Sequence, residues 1–294
     1  VVKEERRMRV DNQPYGRLTE IIYDHAFTTH PYKHPTIGSM QDLEAASIED
    51  VRDFYNTFYV PANATVCLVG DFETSQAKSL IDQYMGRVPA ADKPVPRDIP
   101  QEPPQTKEKR ATVDTPWPLP AVVVAYHITY DGHPDSYPLH IASKVLSDGQ
   151  SSRIYQKLVY EKQIAVSAFG GANLIENPNL FYAVAIVQPG REPQEAIELL
   201  TGELERLKNE PISERDLQRT KNQFARDYIL GRESNQQKAL QLSHAAVLHG
   251  DIATADGEFD IFQNIKAADV QRVARTYFTA ANRTVIHIRT RGGR

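Results

Sequence analysis

The chain has 294 residues, 40% of them hydrophobic and 24% charged, with a formal net charge of −4. That is length for about two domains of ordinary globular composition. The mild negative balance, with no long basic run, argues against nucleic acid as the main partner, and no stretch approaches the roughly 20 apolar residues of a membrane span.

In chain order, residues 1 to about 11 and Tyr15 to Phe27 read as helices. Ser47-Ile-Glu-Asp50 has capping-box spacing and predicts a helix to about Tyr59. The run "TVCLVG" after it reads as a strand, with the single cysteine, Cys67, expected in a core. "TSQAKSLIDQYMGRV" predicts a helix with Ala77, Leu80, Ile81 and Tyr84 on one face. Between Val88 and Pro120 there are nine prolines, a density that blocks helix and favours an extended connector, in which Trp117 is expected to anchor against a domain. "AVVVAYHI" (121–128) reads as a strand. Ser136–Ser147 and Ser151–Glu161 read as helices. "IAVSAFGGANL" and "LFYAVAIV" form a predicted strand pair, with Gly170-Gly171 marking a bulge or a close backbone approach. "EPQEAIELLTGELERLKN" and the stretch from Ser213 to about His249 read as helices, and "TVIHIR" as a last strand. Strands and helices cluster rather than alternate, which predicts an α+β fold of sheet covered by helices.

The sequence repeats itself. "DVRDFYNTFYVPANATV" (50–66) and "DVQRVARTYFTAANRTV" (269–285) agree at seven positions under an offset of 219 and share one element order, helix, Ala-Asn turn, strand. Two homologous domains are therefore expected. The first is incomplete within these residues and occupies 1–87, a Pro-rich linker occupies 88–112, and the second domain occupies 113–294. A unit of this length implies that the first copy begins before residue 1.

Glu5 stands out on this offset, because Phe224 occupies its place in the second copy. A helix puts Glu5 on one face with Val1 and Arg9, and a carboxylate beside valines is costly unless something pairs with it. Spacing alone leaves two accounts open: an inward acid that meets a ligand, or a solvated helix face on which Arg6, Arg7 and Arg9 are its partners. His30 and His34, in "HPYKHP", are four apart, but Pro31 and Pro35 argue against a helix presenting both rings; a turn with surface histidines is expected.

"VVKEERRMRVDNQPYG", "HPYKHPTIGSMQDL", "SIEDVRDFYNTFYVPANATVCLVGDF" and "GQSSRIYQKLVYEKQIAVSAFGG" together resemble the insulinase/pitrilysin-type zinc peptidases, the inverzincins, in their short-chain, mitochondrial-processing-peptidase-like branch. The resemblance runs along essentially the whole chain. It implies two α+β domains and a His-x-x-Glu-His motif in the first, whose histidines bind zinc and whose Glu is the general base, with a downstream Glu as third ligand. On that pattern the metal ligand is Glu5. Three protein ligands leave a position for water, which the metal acidifies for attack on a peptide carbonyl.

This sequence contains no His-x-x-Glu-His. In the second copy, "LHIASKVLSDGQ" stands in its place: His140 remains, with Ser143 and Lys144 where Glu and His would be, 84 residues before Phe224 for His140. The resemblance further implies an Arg, a Gly and a Tyr in "L-Arg-x-x-x-Gly-x-x-Tyr", holding substrate and polarising its carbonyl. Here Val159, Gln163 and Val166 stand at those positions, so the catalytic pair is replaced and no catalytic residue is expected in this chain. The implied whole is a zinc metalloendopeptidase cutting peptides or unfolded segments in a chamber of two subunits, either a heterodimer with a homologous inactive partner that supplies the pair or a homodimer. Zn2+ is expected in the full-length protein and not on this fragment, which alone is expected to be inactive. The alternative is a non-catalytic scaffold or partner subunit of the same fold. Bacterial relatives point to a periplasmic rather than a cytoplasmic location.

Overall fold

The strand Ala121–His127 runs apolar to its last position because its residues are buried on both faces. In the computed structural model, which describes residues 1–291, five strands form one sheet in the order β1-β5-β2-β4-β3. They are β1 (Lys109–Thr115), β2 (Ala121–His127), β3 (Ala165–Ala172), β4 (Leu180–Val187) and β5 (Arg283–Thr290). All neighbours pair antiparallel except β1 with β5, which run parallel. In the centre Val123 lies opposite both Val184 and Ile286.

The helices are α1 (Val2–Arg6), α2 (Leu18–Ala26), α3 (Met40–Ala45), α4 (Ile48–Phe58), α5 (Thr74–Tyr84), α6 (Ser136–Ser147), α7 (Arg153–Tyr155), α8 (Pro193–Asn209), α9 (Glu214–Leu230), α10 (Asn235–His244), α11 (Thr254–Asn264) and α12 (Ala267–Tyr277). Single turns of π-helix continue α1 over Arg7–Asp11, α7 over Gln156–Glu161 and α10 over Ala245–His249.

Two packed units are distinguished. The first comprises Val1–Ile37, Pro100–Ala225 and the segment from Phe259 on. Here period-two alternation on β2 serves two cores. Val122, Val124 and Tyr126 join a core with residues of α6, α8 and α12, including Leu139, Leu200 and Val273. Ala121, Val123 and Ala125 join a second core with Leu18, Ile21 and Ile22 of α2, together with Phe27 and Trp117. Sheets covered on both faces carry near-continuous apolar runs, which accounts for "AVVVAYH". Full burial of a side chain such as Ile22 is worth about 1.5–3 kcal/mol. Trp117 packs its ring, tilted, 4.9 Å from that of Tyr15, the anchor expected of it. At Gly170 any Cβ would lie 2.2 Å from the Tyr182 carbonyl oxygen, so the expected close approach is real, while the β3 bulge falls between Ala165 and Ser167 instead.

The second unit comprises Gly38–Ile99 and Arg226–Glu258. Capping boxes start its helices at Ser39/Asp42, Ser47/Asp50 and Ser234/Gln237, the middle one as predicted. "TVCLVG", expected as a strand, takes no regular secondary structure and pairs with no strand among the described residues, and Cys67, expected in a core, is half-exposed. The repeat makes the contrast plain: Val270 of α12 is fully buried, whereas Val51, its counterpart on α4, is 58% exposed. One amphipathic pattern has a sheet to cover it and the other does not among these residues.

The α+β class is as expected. Three elements escaped the sequence reading: β1, hidden in the proline-rich connector, and the helices α3 and α11.

Candidate functional site

Glu4 and Glu5 occupy the first turn of α1, where the helix dipole favours acids. Glu5 Oε1 lies 3.3 Å from Arg9 Nε, and its side chain is 43% exposed. Arg7 pairs with Glu4 at 3.1 Å. The solvated-face account thus supplies a real partner four residues on, and the valines that argued for an inward face, Val1 and Val2, are exposed. Arg6 departs from the solvated-face account: it is buried and reaches Glu20 on α2, with Asp11 of the following π turn 3.5 Å away. A carboxylate oxygen is an ordinary zinc donor, and this one is accessible. Among the described residues no cluster of three His, Cys, Asp or Glu donors includes Glu5, so the chain fits zinc as a contributor of one ligand and not as a complete site.

In the second copy, the residues expected in the motif's place pack among aromatic rings. His140 on α6 meets Phe224 on α9 edge-on, ring centroids 6.4 Å apart. Phe262 of α11 packs against both, 5.3 Å from His140 and stacked 3.7 Å from Phe224, with Tyr137 at 5.3 Å from Phe262. Ser143 Oγ accepts the backbone N–H of Ala172 at 2.9 Å. Lys144 pairs with Asp148 at 2.8 Å, so its Nζ is engaged with that carboxylate where the resemblance implies a histidine ligand. Phe262, invisible to motif reading, belongs to a helix the sequence analysis did not find.

Val159 sits in the π turn after α7 and packs half-buried on the core. Gln163 then takes φ +50°, the left-handed region, at the position where the resemblance implies glycine. The Ile164 N–H returns to the Leu158 carbonyl at 2.9 Å and closes the turn. Val166 follows, 41% exposed, beside the β3 bulge. The backbone excursion is present, but neither valine can donate a hydrogen bond to a substrate.

His30 and His34 flank a 3-10 turn at Pro31–Lys33. His34 is exposed, but His30, expected at the surface, is buried. Its Nδ1 accepts the Tyr32 N–H at 3.1 Å, and burial holds its pKa below the ordinary value. The backbone N–H groups of Thr28, Thr29 and His30 all donate to the Glu102 carboxylate, at 2.8, 2.8 and 3.0 Å. This clip ties the turn to the connector and accounts for the histidine being packed. Neither histidine belongs to a cluster of three potential metal donors among the described residues.

Residues 45–224 match the family described as Peptidase M16 inactive domain. The chain is 28% identical to the zinc protease PqqE of Helicobacter pylori over 291 residues, 98% of this chain and 65% of that protein. It is 22% identical to the uncharacterized zinc protease YmxG of Bacillus subtilis over 95% of this chain and 66% of that one. It therefore spans just under two thirds of the length of these curated relatives. The crystal structure of a protease from Helicobacter pylori superposes with a TM-score of 0.91 at 28% identity, covering 98% of this chain and 70% of that one. A peptidase M16 inactive domain from Pseudomonas fluorescens superposes at 0.84 with 16% identity over 99% and 69%, a likeness of fold alone.

Proposed function

Since this chain belongs to the peptidase M16 inactive-domain family, we propose that it is part of a zinc-dependent metalloendopeptidase in which Glu5 is the third protein ligand of the metal. The two histidines and the general-base glutamate lie outside these 294 residues. Zinc, when bound, supplies a Lewis acid and an acidified water for peptide hydrolysis. This chain's own contribution is one oxygen donor and a degenerate second domain, residues 113–294, joined to the first-domain part, 1–87, through the proline-rich connector. Its substrates are peptides or unfolded segments enclosed between two subunits, and because Val159 and Val166 cannot donate, the substrate-holding donors come from a homologous partner subunit.

The observation that carries this reading is the meeting of His140 with Phe224. In the second copy, the helix in the motif's place lies beside the helix position that the 219-residue offset equates with Glu5. A first copy folded the same way sets an acid beside a histidine helix. The test is zinc content: the intact protein is expected to carry about one zinc per chain, and Glu5→Gln to lose most of it. Equal zinc in wild type and variant removes Glu5 from the site.

The second reading, a non-catalytic partner subunit of the same fold, is favoured by one observation, the Glu5–Arg9 ion pair on a solvated face. It predicts no stoichiometric zinc in the intact protein.

A further inference from the structure

Resting on the reading of Glu5 as a zinc ligand, we propose that Arg6 and Glu20 form a positioning pair for its carboxylate. Helix α1 has five residues and runs directly into the π turn of Arg7–Asp11. A helix this short does not persist in water by itself. Apolar packing does not hold it, since Val1, Val2 and Met8 are exposed. Of the first 17 residues Arg6 alone is buried, at 6% exposure. Its guanidinium grips Glu20 with two prongs, Nη1 to Oε1 at 2.6 Å and Nη2 to Oε2 at 3.1 Å, and Nη2 lies 3.5 Å from Asp11. Arg17 Nε donates to the same Glu20 at 3.3 Å. Bidentate pairs of this kind fix geometry as well as charge, and solvent screens a largely buried pair little. Glu20 is itself fixed, because α2 is seated on the sheet through Leu18, Ile21 and Ile22. Neighbouring residues on a helix are about 100° apart, so turning Arg6 inward sets the direction in which Glu5 points.

The second copy supplies the control. The 219-residue offset that sets Phe224 opposite Glu5 sets Ala225 opposite Arg6 and Ala239 opposite Glu20. The copy that lost the acid has neither charge of the pair. The same offset sets the π turn opposite 226–230, which are regular α-helix at the end of α9. The ion pair and the irregular turn therefore occur together with the acid, and π turns recur at functional sites.

The experiment measures zinc affinity of the intact protein by chelator competition, alongside the melting midpoint of the zinc-free protein. Arg6→Met and Glu20→Gln are each expected to weaken zinc binding about 10- to 100-fold, the effect of removing a group that orients a ligand. Arg6→Lys, which keeps the charge but not the fork, is expected to weaken it less. Wild-type zinc affinity in Glu20→Gln together with a lowered zinc-free midpoint overturns the proposal and leaves the pair a tether only. Glu20→Gln is nearly isosteric and carries the test should Arg6→Met fail to fold. Glu5→Gln separates the levels of the argument: if it leaves zinc binding intact, ligand and positioning pair both fall, whereas if it abolishes binding that Glu20→Gln leaves untouched, only the positioning falls.

Discussion

His140 and Phe224 face each other edge to plane, 6.4 Å between ring centroids, with Phe262 packed against both. Where a metal centre would need a shared opening, this domain has an aromatic cluster. Phe262→Ala is therefore expected to destabilise the protein by about 3–5 kcal/mol, the usual cost of emptying a buried aromatic site, while zinc content stays unchanged. Urea unfolding and metal analysis on one sample check both halves; loss of zinc in the variant would mean that the cluster takes part in metal binding.

The Glu102 clip predicts a specific response to acid. Burial pushes this carboxyl upward, but the three backbone N–H groups of Thr28, Thr29 and His30 outweigh it and hold the pKa below the usual carboxylate range. A carboxyl depressed by folding contributes stability above its unfolded pKa, about 4.3, and loses it as pH falls through the lower folded value. Glu102→Gln is expected to cost about 1–3 kcal/mol near pH 7 and less at an acid pH below the depressed folded value, where the wild type loses the charge as well. Unfolding of both proteins at the two pH values tests this; an equal difference at both would mean that the carboxylate charge is irrelevant to the clip.

Gln163 holds a left-handed backbone that costs a residue with a side chain roughly 1–2 kcal/mol. Glycine removes that strain but brings greater freedom to the unfolded chain, worth roughly 0.5–1 kcal/mol. Gln163→Gly is expected to raise stability by about 0.5–1 kcal/mol net, read as a higher melting midpoint. An unchanged or lower midpoint would show that the exposed glutamine side chain compensates.

On the proposed reading, proteolysis needs donors that Val159 and Val166 lack. Purified alone, the intact protein is expected to cleave unfolded substrate feebly, and a homologous subunit bearing the Arg/Tyr pair to raise the rate at least tenfold, about 1.4 kcal/mol of barrier. Full activity without a partner contradicts the division of labour.

Elements whose signals are local were legible in the sequence. Ser47 and Asp50 mark a helix start through bonds three residues apart, and the structure has both. Ser136 and Ser147 bound α6 as read. Signals that depend on distant neighbours were not legible. "TVCLVG" has the apolar content of a strand, yet a strand is defined by its partners, and none is paired with it among the described residues. The converse is β1, whose "KRATVDT" looks like connector until β5 lines up beside it. His30 looked like a surface residue because nothing near it in sequence announces Glu102, 72 positions away. Within the candidate site, comparing the two copies singled out Glu5, and only the family resemblance assigned it to a metal. Arg6 read as one of several helix-surface arginines, and only the fold brings Glu20 to it.

Adjacent residues of β2 answer to opposite halves of the molecule's interior: Val124 reports on the layer of α6 and α8, and Val123 on the layer of α2. The strand is thus a two-channel recorder. Probes at consecutive positions would register separately a loosening of α2, which follows the Glu5 turn, and a loosening of α6 and α8 on the other face.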